Sequence, residues 1–430
     1  MLPFEEVAED GSCCGREDGF EVRVAEMVLG CKAYVELEHV SPHRPLAWGR
    51  VLDTRILPAA APPRELCASA MQGEVRCGGC PLLPMPEADG LALKVRWLHT
   101  ALAPLGVAPV LERHGPSLGY RNRNIYHVVA DVDGLPMFGS RVPNGAELAE
   151  MVPCIAVLPA IDAVAQELQR ELESAPVEAW PRYLVLRGNR AGEVVAEFIF
   201  GTERATPPRW TEGLCERCGL AGWSWSVNIR TDDAVRGGEP VPGEGAQSVQ
   251  ETFGALTLPI GTAGFAQLNA VAAGAMYELA GRWLGGAETV WDLYCGMGAI
   301  GLHGALLGGT KRLFGAESSS ASIGAAGSLA AAHGVEATYA EMAAAAAFEA
   351  GWPRPDAVVV NPPRKGLESA TVTGLLALRP ARLVYMSCSP ESFARDAARL
   401  MAGGYRLDEV TAHDLLPQTR HVELLARFSL

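Results

Sequence analysis

The sequence predicts an α/β protein: a parallel sheet layered with helices in the carboxyl-terminal half, a β-rich middle region and a small β-barrel at the amino terminus. Three observations carry that expectation. After Phe253, short runs of the buried-strand type ("TVWDLYCG", "RLFGAES", "DAVVVNPP", "RLVYMSC") alternate with Ala- and Gly-rich helical segments, the pattern of strands covered on both faces. Gly296, Gly298 and Gly301 stand between one such strand and a helix in G-x-G-x-x-G spacing, which permits a tight turn and close approach of a ligand to the backbone. From about Tyr120 to Gln250, runs such as "NIYHVVADVDG", "RYLVLRG" and "EVVAEFIFG" alternate and end in turn residues, as antiparallel strands do.

In chain order, Phe20 to Leu57 holds short strand-like runs separated by Gly and Pro, the expected barrel over 15–60. "PAAAPPREL" reads as a Pro-rich linker. Cysteines cluster from Cys67 to Cys80, and "ADGLALKVRWLHTALAPLG" reads as an amphipathic helix closed by Gly106. The expected division is a β-rich central domain over 61–90 and 120–255, and an α/β domain over 91–119 and 256–430.

With 430 residues the chain exceeds one ordinary core. At 49% hydrophobic and 20% charged residues it reads as soluble and globular. No basic and apolar leader opens it, so a cytoplasmic location is expected. No run reaches the eighteen apolar residues of a membrane span. Eleven cysteines without an export signal point to metal, cluster or catalytic chemistry rather than disulfides. The net charge of −14 argues mildly against a nucleic-acid partner. Arg113, Arg121, Arg123, Arg364 and Lys365 are nonetheless candidate phosphate contacts, against the alternative of solvated basic loops.

Glu317 ends the next strand about twenty residues after the glycine turn, where a carboxylate can accept both hydroxyls of a ribose. A dinucleotide and S-adenosylmethionine both fit that arrangement. "NPPR" favours the second: the prolines make a rigid exit that aims Asn361 into the crevice at the strand's carboxyl end. Arg364, standing where an aromatic ring would stack on a target, disfavours methylation of an exocyclic nitrogen. Cys388 closes "RLVYMSC", with Ser389 as N-cap, Pro390 at N1 and Ser392 in the first turn of the next helix. A thiol there feels the positive end of the helix dipole, so a thiolate is expected, against the alternative of a core cysteine. Glu423, flanked by Val422 and Leu424, is either a solvated edge residue or a general base with a raised pKa.

In order along the chain, "DLYCGMG", "NPPRKG", "SCSPESFARD" and "DLLPQTRHVE" resemble the motifs of the RNA uracil-5-methyltransferases. "GFAQLNA" resembles that family's F-x-Q-x-N stretch, while "CGGCPLLP" and "GYRNRN" extend the likeness back to Cys67. Residues 20–57 look like a shortened TRAM barrel. The resemblance implies a Rossmann-like class I methyltransferase domain and transfer of a methyl group from S-adenosylmethionine to carbon 5 of a uridine in RNA. Ribosomal RNA, 23S in particular, is the expected substrate and transfer RNA the alternative. It also implies Cys388 as nucleophile and Glu423 as base, with Gln267, Tyr294, Gly296, Gly298, Glu317 and Asn361 on the cofactor or base. A monomer without a membrane partner is expected.

Asn361 stands where many members have Asp, Ala299 where some have Asn, and Ala270 where proline is common. The first replaces a carboxylate by an amide, which removes any proton-handling role there. Cys67, Cys77 and Cys80, with the remote Cys154, make a set of four thiols that suits zinc or an iron–sulfur cluster. The resemblance implies [4Fe–4S]. "CERC", Cys215 to Cys218, and the pair Cys13 and Cys14 are expected to be ordinary thiols.

Overall fold

The computed structural model describes residues 1–8, 12–24, 31–56, 67, 77–83, 85–141, 147–232 and 234–430. The expected linker at 58–66, the residues between Cys67 and Cys77, and the end of the run Phe20–Gly30 lie outside the described residues. The chain divides into two compact units. One comprises Met1–Leu93, Ser117–Val249 and Pro417–Arg420; the other comprises Lys94–Pro116, Gln250–Leu416 and His421–Leu430.

The first unit opens with a closed barrel of β1 (Leu2–Val7), β2 (Cys13–Glu17), β3 (Phe20–Val24), β4 (Cys31–Val40) and β5 (Leu46–Ile56), in the order β1-β2-β3-β5-β4. It starts before the expected residue 15, because Leu2, Phe4, Cys13 and Cys14 supply part of its buried lining. Helix α1 (Glu87–Leu102) and the two-residue strand β6 (Leu111–Glu112) follow.

Seven strands then form one sheet: β7 (Arg123–Ala130), β8 (Pro136–Arg141), β9 (Leu148–Glu150), β10 (Tyr183–Gly188), β11 (Val194–Phe200), β12 (Gly222–Val227) and β13 (Val241–Gly245). Their order is β13-β12-β11-β10-β7-β8-β9. Every pairing is antiparallel except β11 with β12. Helix α2 (Pro159–Glu173) buries Ile161, Val164, Ala165, Leu168 and Leu172, a stripe at helical spacing. They pack in one core with Tyr126, Phe138, Leu184, Leu186 and Phe198 of the sheet. This helix was not among the expected elements, although the stripe is visible in "IDAVAQELQREL".

The short helix α3 (Leu214–Cys218) carries "CERC". Cys218 is buried against the α2 core and the Cys215 thiol lies 3.8 Å from the Glu244 carbonyl.

A two-stranded sheet, β14 (Ser248–Phe253) with β15 (Leu256–Gly261), precedes helix α4 (Ala270–Trp283). The second unit is then a layered α/β structure: β16 (Thr289–Leu293), α5 (Ala299–Gly308), β17 (Arg312–Glu317), α6 (Ser320–Ala332), β18 (Glu336–Glu341), β19 (Ala357–Val360), α7 (Ser369–Leu378), β20 (Arg382–Ser387), α8 (Pro390–Ala402), β21 (Arg406–His413) and β22 (Glu423–Ser429). The sheet order is β18-β17-β16-β19-β20-β22-β21-β6. Strands β16 to β20 are parallel, and β22 runs antiparallel to both neighbours. All residues of β16 and β19 are buried, as strands covered on both faces must be. The order reverses at β16, and ligands of such sheets bind outside the carboxyl ends at that reversal. Both the glycine turn and Asn361 lie there.

Candidate active site

At the carboxyl end of β16 the backbone turns sharply. Tyr294 takes φ +63°, Gly296 +54° and Gly298 +77°, a region costly to residues with a Cβ. A Cβ on Gly298 would lie 2.4 Å from the Tyr339 hydroxyl, so glycine is required there on two counts. The Gly296 N–H donates to Glu317 Oε2 (3.2 Å), while Glu317 Oε1 accepts from the Ser318 and Ser319 N–H groups (2.7 and 3.0 Å). The carboxylate expected at the end of the second strand is therefore beside the turn. The Tyr294 hydroxyl lies 3.2 Å from Thr371 Oγ1. Gln267 precedes Asn269, whose side chain caps α4 by accepting the Ala272 N–H.

Asp292, absent from the sequence reading, is fully buried under the turn. Its Oδ2 accepts the Gly301 N–H at 2.9 Å, and its Oδ1 has no partner. Burial pushes this carboxyl up to about 7, against the lowering effect of Gly301 and with a further rise from Glu317. A buried acceptor left open beside a ligand crevice is a place for a ligand donor.

Asn361 follows β19, its N–H donating to the Leu293 carbonyl at 3.2 Å. Cys388 follows β20. Ser389 caps α8 by accepting the Ser392 N–H (3.2 Å), with Pro390 in the first turn. Strands β20 and β22 pair through Ser387 and Leu424, so the next position sets Cys388 beside Glu423. The two side chains share a face because opposed residues of antiparallel strands do.

The surroundings of Cys388 work against the expected thiolate. Burial first, then the Glu423 charge, pushes the Cys388 thiol up to about 11, and Arg364 opposes this. Burial likewise pushes Glu423 up to about 8. Among the described residues, no group donates a hydrogen bond to the Glu423 carboxylate. Two acids side by side in a site of low polarity both prefer the neutral form.

Further residues lock these loops. Asp396 in α8, fully buried, accepts from the Leu367 N–H (2.7 Å), the Tyr385 hydroxyl (3.0 Å) and Arg395 (3.2 Å). This ties the segment after "NPPR" to the helix after Cys388. Asp414 accepts from Lys94 Nζ (2.5 Å) and from Arg113 Nε and Nη2 (3.0 and 2.8 Å). Arg113 is thus committed to an internal ion pair rather than displayed as a solvated phosphate contact. Arg121 and Arg123 each bury an Nε without a partner, whereas Arg364 is exposed and near enough to Cys388 to favour its thiolate.

In the first unit, Cys67 lies close enough to Cys77, Cys80 and Cys154 to help raise each of those three thiols. Burial first, then Cys154 and Cys77, pushes Cys80 up to about 12, and burial raises Cys77 and Cys154 as well. Arg121 opposes these shifts. The Gly79 N–H donates to Cys77 Sγ at 3.5 Å. Among the described residues, no three of these sulfurs fall within 4.8 Å of one another; the one set that meets that limit is Glu112, His114 and His413. None of the ten cysteines whose side chains are described forms a disulfide.

The fold and the glycine turn define a class I methyltransferase. Residues 354–427, which include Asn361, Cys388 and Glu423, match the family model described as tRNA (uracil-5-)-methyltransferase. An uncharacterized RNA methyltransferase of Nitratidesulfovibrio vulgaris is 30% identical over 82% of this chain and 81% of its own. One of Lactococcus lactis is 30% identical over 75% and 73%. The chain belongs to the RNA (uracil-5-)-methyltransferase family. Its fold is similar to that of Pyrococcus abyssi tRNA (uracil-54, C5)-methyltransferase in complex with S-adenosyl-L-homocysteine, with a TM-score of 0.78, 24% identity and both chains covered in full. Among the described residues, no helix is long and apolar enough to cross a membrane.

Proposed function

We propose that this protein transfers a methyl group from S-adenosylmethionine to carbon 5 of a uridine in RNA through a covalent adduct on Cys388. The observation that carries the reading is the adjacency of Cys388 and Glu423 at the carboxyl edge of the sheet that bears the glycine turn. Carbon 5 of uracil is a weak nucleophile. Addition of the Cys388 thiolate to carbon 6 makes carbon 5 enolate-like, and carbon 5 then takes the methyl group. Glu423 removes the carbon-5 proton, and the C6–S bond breaks to release the thiolate.

S-adenosylmethionine would supply an electrophilic methyl. Gly296 and Gly298 would let it approach the backbone, Glu317 would accept from its ribose, and Gln267 and Tyr294 would complete its pocket. Asn361 would bond the uracil edge or the adenosine end. Arg364 would favour the thiolate as the base arrives. A target in a loop is the easiest to extrude, since unstacking costs a few kcal/mol.

The set Cys67, Cys77, Cys80 and Cys154 would hold a [4Fe–4S] cluster. One zinc ion would draw four sulfurs to roughly 3.8 Å of one another, given bonds of about 2.3 Å. Three thiols close together in the sequence with a fourth far along it suit a polynuclear centre better. Its contribution would be to tie the segment at Cys67–Cys80 to Cys154. A reducing, cytoplasmic setting fits the lack of any disulfide among the described cysteines. Ribosomal RNA, 23S in particular, would be the substrate, with transfer RNA the alternative.

RNA carrying 5-fluorouridine tests the chemistry: fluorine replaces the proton that Glu423 must remove, so an adduct requiring Cys388 and S-adenosylmethionine should accumulate. Absence of an adduct with any cellular RNA overturns the mechanism. Mapping 5-methyluridine in RNA from cells lacking the protein separates ribosomal from transfer RNA.

A further inference from the structure

At the far edge of the second unit's sheet, β6 pairs with β21 in parallel, with Glu112 opposite His413. The strand has two residues and two register pairs. Two residues beyond Glu112 comes His114. Glu112 Oε2 lies 3.3 Å from His114 Nε2 and 4.0 Å from His413 Nδ1, and the two imidazoles stack at 5.8 Å. One ligating atom from each of the three residues falls within 4.8 Å of the others. His413 is 1% exposed, whereas Glu112 and His114 are 42% and 32% exposed at their side chains. The cluster therefore has a buried floor and an open mouth.

The hydrogen bonds make this arrangement incomplete as it stands. Thr411 Oγ1 lies 3.4 Å from the Leu425 carbonyl and can donate to it, leaving a lone pair for His413 Nε2 at 2.9 Å. With the hydroxyl donating to that carbonyl, His413 carries its proton on Nε2 and presents a bare lone pair on Nδ1. Nδ1 is buried and has no hydrogen-bond partner, and it faces a carboxylate oxygen at a distance too long for a hydrogen bond. Two acceptors confronting one another without a proton call for a cation. A histidine that donates through its outer nitrogen and presents the inner one to a site is how metal-ligating histidines are held.

We propose that Glu112, His114 and His413 bind a divalent first-row transition metal, zinc being the representative, which clips β6 to the edge of the sheet. Two imidazoles and a carboxylate select such an ion over magnesium or calcium, which prefer oxygen throughout. Two ligands of a tetrahedral zinc lie roughly 3.3 Å apart, given bonds of about 2.0–2.1 Å. The Glu112–His114 pair is already at that spacing, and His413 needs a small approach.

Cobalt(II) titration of the full-length protein reads the site, because nitrogen and oxygen ligands give d–d bands without the charge-transfer absorption of a thiolate. The wild type should take up one such equivalent. Affinity for it should fall by about tenfold or more in both His114→Ala and Glu112→Gln, two accessible positions where folding can be checked by circular dichroism. Zinc should raise the Tm of the wild type and not that of His114→Ala. Equal uptake and affinity in wild type and both variants, or cobalt bound through thiolates alone, overturns the proposal.

Discussion

Four acidic groups at one sheet edge fall into two kinds. Asp396 and Asp414 are fully buried and surrounded by donors: three groups converge on Asp396, and Lys94 with a bidentate Arg113 on Asp414. Cys388 and Glu423, on the adjacent strand ends, hold no such partners and are pushed up by burial. The difference separates position from reaction. A buried carboxylate whose lone pairs are filled fixes its neighbours, while one left open retains its proton chemistry.

The largest effect should come from the open groups. Cys388→Ala should remove methyl transfer, by roughly 10³-fold or more in kcat, with the thermal transition little changed. Glu423→Gln should lower turnover by about 10²–10⁴-fold and, unlike Cys388→Ala, should leave the protein covalently bound to RNA on a denaturing gel. If both variants lack the adduct, the division of labour between them is wrong.

Substitution on the satisfied side should act on stability instead. Asp396→Ala strands the Leu367 N–H and the Tyr385 hydroxyl, and should cost about 3 kcal/mol in denaturant unfolding. Gly298→Ala, with φ +77° and the Tyr339 contact, should cost about 1–2 kcal/mol and weaken binding of S-adenosylmethionine in calorimetry.

The pH dependence should be the gentlest probe. In the proposed mechanism adduct formation needs the Cys388 thiolate and turnover needs ionised Glu423, so log kcat/KM should climb with pH. Its slope should be near about two below pH 8 and near about one above, from groups at about 11 and about 8. Glu423 is raised above its ordinary 4.5, so the folded state binds more protons than the unfolded chain between 4.5 and about 8. Stability from this group is present at low pH and lost as pH rises through about 8. Glu423→Gln should flatten that loss when unfolding is measured at several pH values.

Much of the site was legible because its parts are local. The glycine spacing, the prolines after Asn361 and the serine cap after Cys388 act within a few residues, and the tight turn at Gly296 and Gly298 and the Ser389 cap stand in the structure as read. Asp396 was on the page inside "SFARD", but its bonds to Leu367 and Tyr385 join segments distant in sequence. Arg113 was misread for the same reason: nothing near it in sequence announces Asp414, 301 residues later. The thiolate expectation failed because the dipole of α8 is a local signal, whereas burial and the Glu423 charge arrive from the rest of the sheet.

The sequence by itself determined the α/β class, the order of the strands' motifs, the tight glycine turn and the family to which these belong, since periodicity and turn chemistry are properties of short windows. Only the tertiary structure decided that Cys388 and Glu423 meet where burial raises both, that Asp292 lies open beneath the turn, and that His413 faces Glu112 across a sheet edge. Strand pairing and burial, which set those electrostatics, exist only once distant segments have been brought together.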